Sequence, residues 1–226
     1  MSGEHNGAVN PLPPVVWALA LPVIAMEVVL WLGQNGIVGG AEGIGWRLEA
    51  FERFAFSPGM FEWMWENRRW PLGDAARVVT YPFVHLGFGH AVFVVMFLLA
   101  LGKMVGEVFR PWAVLAVFFG GAVAGALAYT GLGGGPQALI GGYPAVFGLI
   151  GAFTYLLWLR LGATGGNRLR AFGLIAALVA IRVSFGLMLG GNDWIADIAG
   201  FGAGFALSFV VSPGGAARML ALLRQR

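Results

Sequence analysis

Six long apolar segments, separated by short polar or glycine-rich stretches, dominate the chain. A helix that crosses a bilayer needs about 20 mostly apolar residues. Six segments reach or approach that length: Val15–Leu32, Phe88–Val108, Trp112–Leu132, Pro144–Leu161, Ala171–Leu189 and Ile195–Val211. The pattern therefore predicts an all-α membrane protein whose six transmembrane helices form one bundle.

The stretch between the first two segments, residues 33–86, has a different character. It mixes tryptophan with glutamate and arginine, most densely in FEWMWENRRWP. Aromatic side chains among charges are typical of the lipid headgroup region, so we predict a long amphipathic first loop that lies in the interface. The predicted division of the chain is a cytoplasmic tail at 1–13, a membrane domain at 14–212 that includes this loop, and a second cytoplasmic tail at 213–226.

Composition supports the membrane assignment and excludes several functions. Hydrophobic residues make up 58% of the 226 and charged residues only 11%, whereas soluble domains carry about 25% charged residues. The absence of cysteine from the sequence excludes disulfides, thiolate nucleophiles and sulfur metal sites. The net charge of +3 is spread without a basic run, so no nucleic-acid partner is expected. No cofactor is expected either.

The distribution of lysine and arginine predicts the orientation. No basic residue precedes the first apolar segment, so we expect a retained helix and not a cleaved signal peptide. With the N-terminus inside, the short inner loops and the tail hold Lys103, Arg110, Arg160, Arg168, Arg170, Arg218, Arg224 and Arg226. The short outer loops hold none, which predicts that both termini are cytoplasmic. Thirteen arginines against one lysine, with abundant alanine and glycine, suggest a bacterial inner membrane.

Small residues recur at four-residue intervals in three of the segments. The third segment has Gly121 and Gly125, the fourth has Gly148 and Ala152, and the sixth has Ala196, Gly200 and Gly204. Small residues at this spacing let helix backbones approach each other in lipid. The spacing therefore predicts close helix contacts, and general helix association is sufficient to explain it.

Ionisable side chains within the apolar segments are the first candidates for a site, because charge at membrane depth is costly. Arg182 lies about eight residues before the outer end of its segment, roughly 12 Å deep at 1.5 Å per residue. Asp197 enters from the same side, so an Arg182–Asp197 pair is feasible, and Glu27 is a rival partner at similar depth. Asp197 could instead be hydrated near the surface. The pair could serve as structural glue or take part in chemistry.

Three motifs resemble one known family. They are YPFVHLGFGHAVFVV before and within the second segment, AVFGLIGAF in the fourth and ADIAGFGAGF in the sixth. RVVTYPFVH, from Arg77 to His85, is similar to the approach to the second helix in the rhomboid intramembrane serine proteases. The resemblance covers most of the chain and implies a six-helix rhomboid-like bundle. It also implies an outward-open polar cavity and a lateral gate near the fifth span.

The resemblance further implies which positions would carry the chemistry. In the family a serine begins the fourth helix and a histidine base lies one turn into the sixth. Here the serine position falls on Tyr143, followed by Pro144, and the base position falls on Asp197. In the oxyanion region His90 is present, but the asparagine position is Val94. The motifs therefore predict a rhomboid-like scaffold without its nucleophile, its base and one oxyanion donor.

A replacement active site is hard to assemble from the rest of the sequence. The only histidines are His5, His85 and His90, and Ser184, the one serine well inside a segment, has no histidine predicted opposite it. A Tyr143 hydroxyl bonded to the Asp197 carboxylate could instead join the fourth and sixth helices. No H-E-x-x-H or other metal-ligand cluster is present.

Three functions stay open at this point. The leading hypothesis is a pseudoprotease whose partners are the lipid bilayer and the transmembrane helices of client proteins. The second is an active intramembrane serine-type endopeptidase with an unconventional site. The third is a small transporter or channel component whose pathway is lined by Arg182, Asp197 and Glu27. The oligomeric state does not follow from the sequence.

Overall fold

In the part of the chain that the structure describes, ten α-helices joined by turns make up the fold. The computed structural model describes residues 10–215, except for the side chains of residues 185–187 and 189. The helices are α1 Pro14–Gln34, α2 Gly40–Gly43, α3 Trp46–Phe54, α4 Pro58–Asn67, α5 Leu72–Thr80, α6 Phe88–Gly106, α7 Pro111–Gly131, α8 Tyr143–Ala163, α9 Gly173–Leu189 and α10 Trp194–Val211. Short 3₁₀ turns at Tyr81–Phe83 and Arg168–Phe172 precede α6 and α9. Within the described residues there is no β-strand, which confirms the all-α prediction.

Five of these helices are long and apolar enough to cross a membrane, namely α1, α6, α7, α8 and α10. Each coincides with a predicted segment to within a few residues. The remaining segment, Ala171–Leu189, forms α9, which has 17 residues and begins only after a 3₁₀ turn. The count of six spans therefore stays a prediction. Most of the two predicted tails, residues 1–9 and 216–226, lies outside the described residues.

The segment between α1 and α6 is folded into the four short helices α2–α5. One ion pair connects it to the bundle: the Arg47 guanidinium binds both carboxylate oxygens of Glu27, at 2.8 and 3.1 Å. Arg47 also donates to the carbonyl oxygen of His85 at 2.8 Å and to Gln34 Oε1 at 3.1 Å. The alternative prediction that Glu27 pairs with Arg182 is wrong, because Arg47 binds the Glu27 carboxylate where α3 contacts α1.

The centre of the bundle is a three-helix contact of α7, α8 and α10. Gly148 and Gly204 lie so close that a Cβ atom added at Gly204 would overlap the Gly148 carbonyl oxygen. A Cβ atom added at Gly121 of α7 would lie 3.1 Å from the Gly148 Cα atom on the other side of α8. Small residues at these positions remove the side chains that would hold the helices apart. The result is a closely packed core of three helices, whereas α9 contacts the rest of the described structure much less.

Among the predicted small residues, Ala152 and Ala196 are also fully buried. Gly200 lies against the backbone of Pro144, at the start of α8. Gly151, which the four-residue pattern did not include, lies against the backbone of Phe201 and Phe205 in α10. The contact between α8 and α10 therefore uses one more position on α8 than the pattern predicts.

Candidate functional site

A cavity of about 550 Å³ opens at the end of the bundle where α6, α8 and α10 begin and α9 ends. Its walls combine tyrosines, polar side chains and the glycine-rich turns that precede α8 and α10. They are formed by Tyr81, Leu86, His90, Tyr129, Gln137, Ala138, Leu139, Ile140, Tyr143, Pro144, Arg182, Gly190, Gly191, Asn192, Asp193 and Asp197. The cavity therefore collects the polar side chains that three distant parts of the sequence contribute.

Tyr143 is placed in this cavity by the turn that starts α8. It is the first residue of the helix, and Pro144 is the second. Proline at the start of a helix lacks only an N–H group that the helix cannot use. The preceding turn is held by two hydrogen bonds: Gly141 N–H donates to the Tyr81 carbonyl at 3.1 Å, and Gly142 N–H donates to His85 Nε2 at 3.3 Å. Gly141 has a φ of 95°, which favours glycine.

The Tyr143 ring has contacts on two sides of the site. It stacks on the His90 ring, with centroids 5.0 Å apart and an interplanar angle of 21°. The Arg182 guanidinium carbon lies 4.8 Å from the Tyr143 ring centroid, which is the geometry of a cation–π contact. Tyr143 therefore joins α6, α8 and α9 through its ring.

Arg182 makes the charged contacts of the site. Its Nε atom donates to Asp197 Oδ2 at 2.6 Å, and its Nη2 atom donates to Asp193 Oδ2 at 2.7 Å. Asp197 is almost fully buried, with 1% of its surface exposed, whereas the Asp193 side chain is 54% exposed. The other carboxylate oxygen of Asp197, Oδ1, has no hydrogen-bond partner within the described part of the chain. These contacts tie the middle of α9 to the start of α10.

The hypothesised hydrogen bond between Tyr143 and Asp197 does not form between these described residues. Arg182 links the two residues instead, because its guanidinium contacts both the Tyr143 ring and the Asp197 carboxylate. The start of α8 and the start of α10 are therefore linked through a residue of α9.

The two histidines of the second-helix motif lie edge to face, with ring centroids 5.1 Å apart. His90 Nδ1 accepts a hydrogen bond from Leu86 N–H at 3.4 Å, and its Nε2 atom has no partner in residues 10–215. Val94, at the asparagine position, is buried beside Gly142 and offers no donor. Of the two expected oxyanion-region side chains, only His90 therefore lines the cavity.

Burial, together with a smaller contribution from the neighbouring His90, lowers the pKa of His85 to about 3. His85 is thus neutral in the folded protein at ordinary pH, as its role as acceptor for Gly142 N–H requires. The reference pKa of the unfolded chain is 6.5. Between these values the unfolded form binds a proton that the folded form does not bind, so stability falls as the pH falls.

Replacing His85 with glutamine is expected to weaken the acid sensitivity of the fold. His85 should cost about 1.4 kcal/mol of unfolding free energy for each pH unit below about pH 6. Unfolding in mixed detergent micelles at pH 7, 6, 5 and 4 measures the slope for parent and variant. The variant should show a slope smaller by about one proton, and equal slopes would contradict a neutral buried His85.

Two charged residues of this region, Asp193 and Arg47, were not predicted from the sequence to take part in it. Asp193 is a ligand of Arg182, and its spacing of four residues from Asp197, on the same side of the α10 start, was a signal that could have found it. Arg47 has no comparable signal, because its partner Glu27 is twenty residues away on another helix. Within residues 10–215 no three His, Asp or Glu side chains converge as a metal site would require.

The fold and this cavity define a class: a helical integral membrane protein with a polar cavity at one end of its bundle. The family model of the rhomboid domain matches residues 72–214, more than half of the chain. The chain therefore belongs to the rhomboid family, which confirms the resemblance seen in its motifs. The match begins at α5, so α1–α4 precede it. No curated protein sequence matches the chain.

Proposed function

We propose that this rhomboid-family protein is a pseudoprotease that binds the transmembrane helices of client membrane proteins without cleaving them. One observation carries the proposal. At the places where the family has its serine and histidine, the cavity has Tyr143, in contact with His90 and Arg182, and Asp197, bound to Arg182. A nucleophile and a free base do not face each other there.

The chemistry of these side chains argues against hydrolysis. Phenol and carboxylic acid reference pKa values are about 10 and 3.9, so proton transfer from tyrosine to aspartate is unfavourable by about 8 kcal/mol. The Asp197 carboxylate is also engaged by Arg182, whose Nε atom donates to its Oδ2 atom at 2.6 Å. Neither His85 nor His90 lies on α10, and the third histidine of the sequence is His5. An active endopeptidase would need a different nucleophile and base.

An apolar cleft beside the polar cavity supports the proposed binding of a client helix. A mostly apolar cleft of about 150 Å³ lies between α6 and α9 and is also lined by α8. Phe97, Leu178 and Ile181 form part of its walls. Tyr143 and Arg182 line both this cleft and the polar cavity, so the two adjoin. A client helix could place apolar side chains in the cleft and its end at the cavity.

The proposal includes six spans, with α9 as the fifth, residues 33–86 in the interface and both termini in the cytoplasm of a bacterial inner membrane. The distribution of lysine and arginine supports this topology. Because the sequence has no cysteine, single cysteines at Gly133 and at Thr164 can report it. A membrane-impermeant thiol reagent added to intact cells should label the first and not the second, and the reverse pattern would overturn the topology.

Neither cleavage nor active-site labelling is expected from the purified protein. In proteoliposomes it should leave a panel of transmembrane reporter proteins uncut, and a fluorophosphonate probe should not label it. A photo-crosslinking residue at Phe97, in the cleft, should capture a reporter helix. The matched control is the same residue at Leu127, which is exposed on α7 and does not line the cleft.

The outcomes separate the hypotheses. Robust labelling of any residue, or a cleaved reporter, would overturn the pseudoprotease proposal in favour of an unconventional endopeptidase. Equal crosslinking from positions 97 and 127 would overturn helix binding at the cleft.

A further inference from the structure

The groups that surround the Arg182 guanidinium are of the kind that proteins use to bind a cation. Two carboxylates and one aromatic ring surround its guanidinium: Asp193, Asp197 and Tyr143. Carboxylates and aromatic faces are the groups by which proteins bind ammonium and guanidinium ions. The structure thus contains a cation site in which a side chain of the same chain is the present occupant.

The cavity lining holds more acidic than basic side chains. Apart from His90 and the tyrosines, its titratable side chains are one guanidinium, Arg182, and two carboxyl groups, Asp193 and Asp197. With both carboxyl groups ionised, the lining carries one net negative charge. Asp197 adds a further argument, because it is almost fully buried and its Oδ1 atom has no partner among the described residues. A buried acceptor without a donor is costly, so a cation that reaches Oδ1 as well as Oδ2 would satisfy Asp197 more fully than Arg182 does.

Arg182 also lies on α9, which among the long helices makes the fewest contacts with the rest of the described structure. The contacts of α9 are mainly with α10 and with the turn at Arg168–Phe172, while the apolar cleft separates it from α6. A small displacement of α9 would withdraw the guanidinium and expose Asp197 Oδ2 to the cavity. The close contact of α8 with α10 would keep Tyr143 and Asp197 in place during this displacement of α9.

We infer that the cavity is a receptor for the lysine or arginine side chain of a client helix, and that Arg182 is its internal competitor. The inference rests on the proposed function and names the clients: membrane helices with a basic residue at the end that reaches the cavity. The ammonium or guanidinium group replaces Arg182 between Asp197, Asp193 and the Tyr143 ring. Apolar side chains of the same helix occupy the cleft between α6 and α9.

The test compares synthetic membrane helices that differ at one position. The protein is placed in nanodiscs, and binding of a fluorescent leucine–alanine helix is measured with lysine or with uncharged norleucine at its cavity end. A charge-assisted hydrogen bond is worth about 1.5–3 kcal/mol, so the lysine helix should bind about 10- to 100-fold more tightly. A third helix with lysine at the opposite end should bind like the norleucine helix.

Variants of the protein should change this preference in opposite directions. Asp197→Asn should abolish it. Asp193→Asn, at a half-exposed position that the fold tolerates more easily, should reduce it several-fold. Arg182→Met removes the competitor and should tighten binding of the lysine helix, whereas a purely structural arginine would give weaker binding when removed. Asp74→Asn, an acid outside the cavity that pairs with Arg77, is the matched control and should retain the preference.

The possible results distinguish a failure of this inference from a failure of the proposed function. Equal binding of the lysine and norleucine helices would overturn the inference and leave helix binding intact. Failure of every helix to bind would overturn both. If n-butylammonium displaces the lysine helix only at concentrations at which it also displaces the norleucine helix, the site does not recognise the ammonium group. If free n-butylammonium binds in an Asp197-dependent way but no helix does, the source of the cation is a small amine and the client assignment is wrong.

Discussion

Replacing Arg47 with methionine is expected to lower the free energy of unfolding by about 3–5 kcal/mol, because it leaves a buried carboxylate without its partner. Arg47 makes four hydrogen bonds, two of them to Glu27, one to Gln34 and one to the carbonyl oxygen of His85. The Arg47 and Glu27 side chains are only 11% and 6% exposed, so water cannot replace these bonds. Unfolding by SDS in mixed micelles measures the change.

Two controls make this prediction specific. Arg53→Met removes an exposed arginine from the same helix, α3, and should change the unfolding free energy by less than about 0.5 kcal/mol. The double variant Glu27→Leu with Arg47→Met should recover much of the lost stability, because no unpaired charge is then buried. A loss below about 1 kcal/mol for Arg47→Met alone would show that this ion pair does not hold residues 33–86 to the bundle.

Replacing Gly204 with valine is expected to separate α8 from α10, at a cost of about 3 kcal/mol or more. Even a Cβ atom at Gly204 would overlap the Gly148 carbonyl oxygen, which is backbone and cannot rotate away. Because Tyr143 and Asp197 lie at the starts of α8 and α10, the same change should also distort the cavity. Thermal unfolding in detergent measures the stability, and crosslinking of a reporter helix from position 97 measures the site.

Gly202→Val is the matched control for this variant. It lies two residues away on the same helix, and a Cβ atom there would meet nothing within 4 Å. Its unfolding temperature should stay close to that of the parent protein. If both variants lose the same stability, the effect is a general one of valine in a membrane helix and not of the contact with Gly148.

The sequence predicted the helices well because length and hydrophobicity decide them locally. Val15–Leu32 and Trp112–Leu132 differ from α1 and α7 by only one or two residues at each end. Prolines at the starts, such as Pro14 and Pro111, and glycines or polar residues at the ends limit these helices. The predicted start at Ala171 lies two residues before α9, because Ala171 and Phe172 belong to a 3₁₀ turn.

The candidate site was predictable in its members but not in its contacts. The family motifs identified Tyr143, His90 and Asp197, and all three line one cavity. The sequence also allowed Tyr143 to bond Asp197 and allowed Glu27 to pair with Arg182. Neither contact follows from the spacing of the residues, because each depends on how two helices are rotated against each other.

By itself, the sequence determined the apolar helices and the rhomboid resemblance, since these are properties of segments and motifs. That Tyr143 and Asp197 occupy the serine and histidine positions stays a prediction from the same motifs. The tertiary structure confirmed the Arg182–Asp197 pair, which depth in the membrane had made feasible, and it alone decided the other partners of the charges. Arg47 reaches Glu27 from a different helix, and Arg182 reaches Asp193, Asp197 and the Tyr143 ring. Which charges meet depends on distances of a few ångströms between helices, and the pattern of residues along one helix does not contain them.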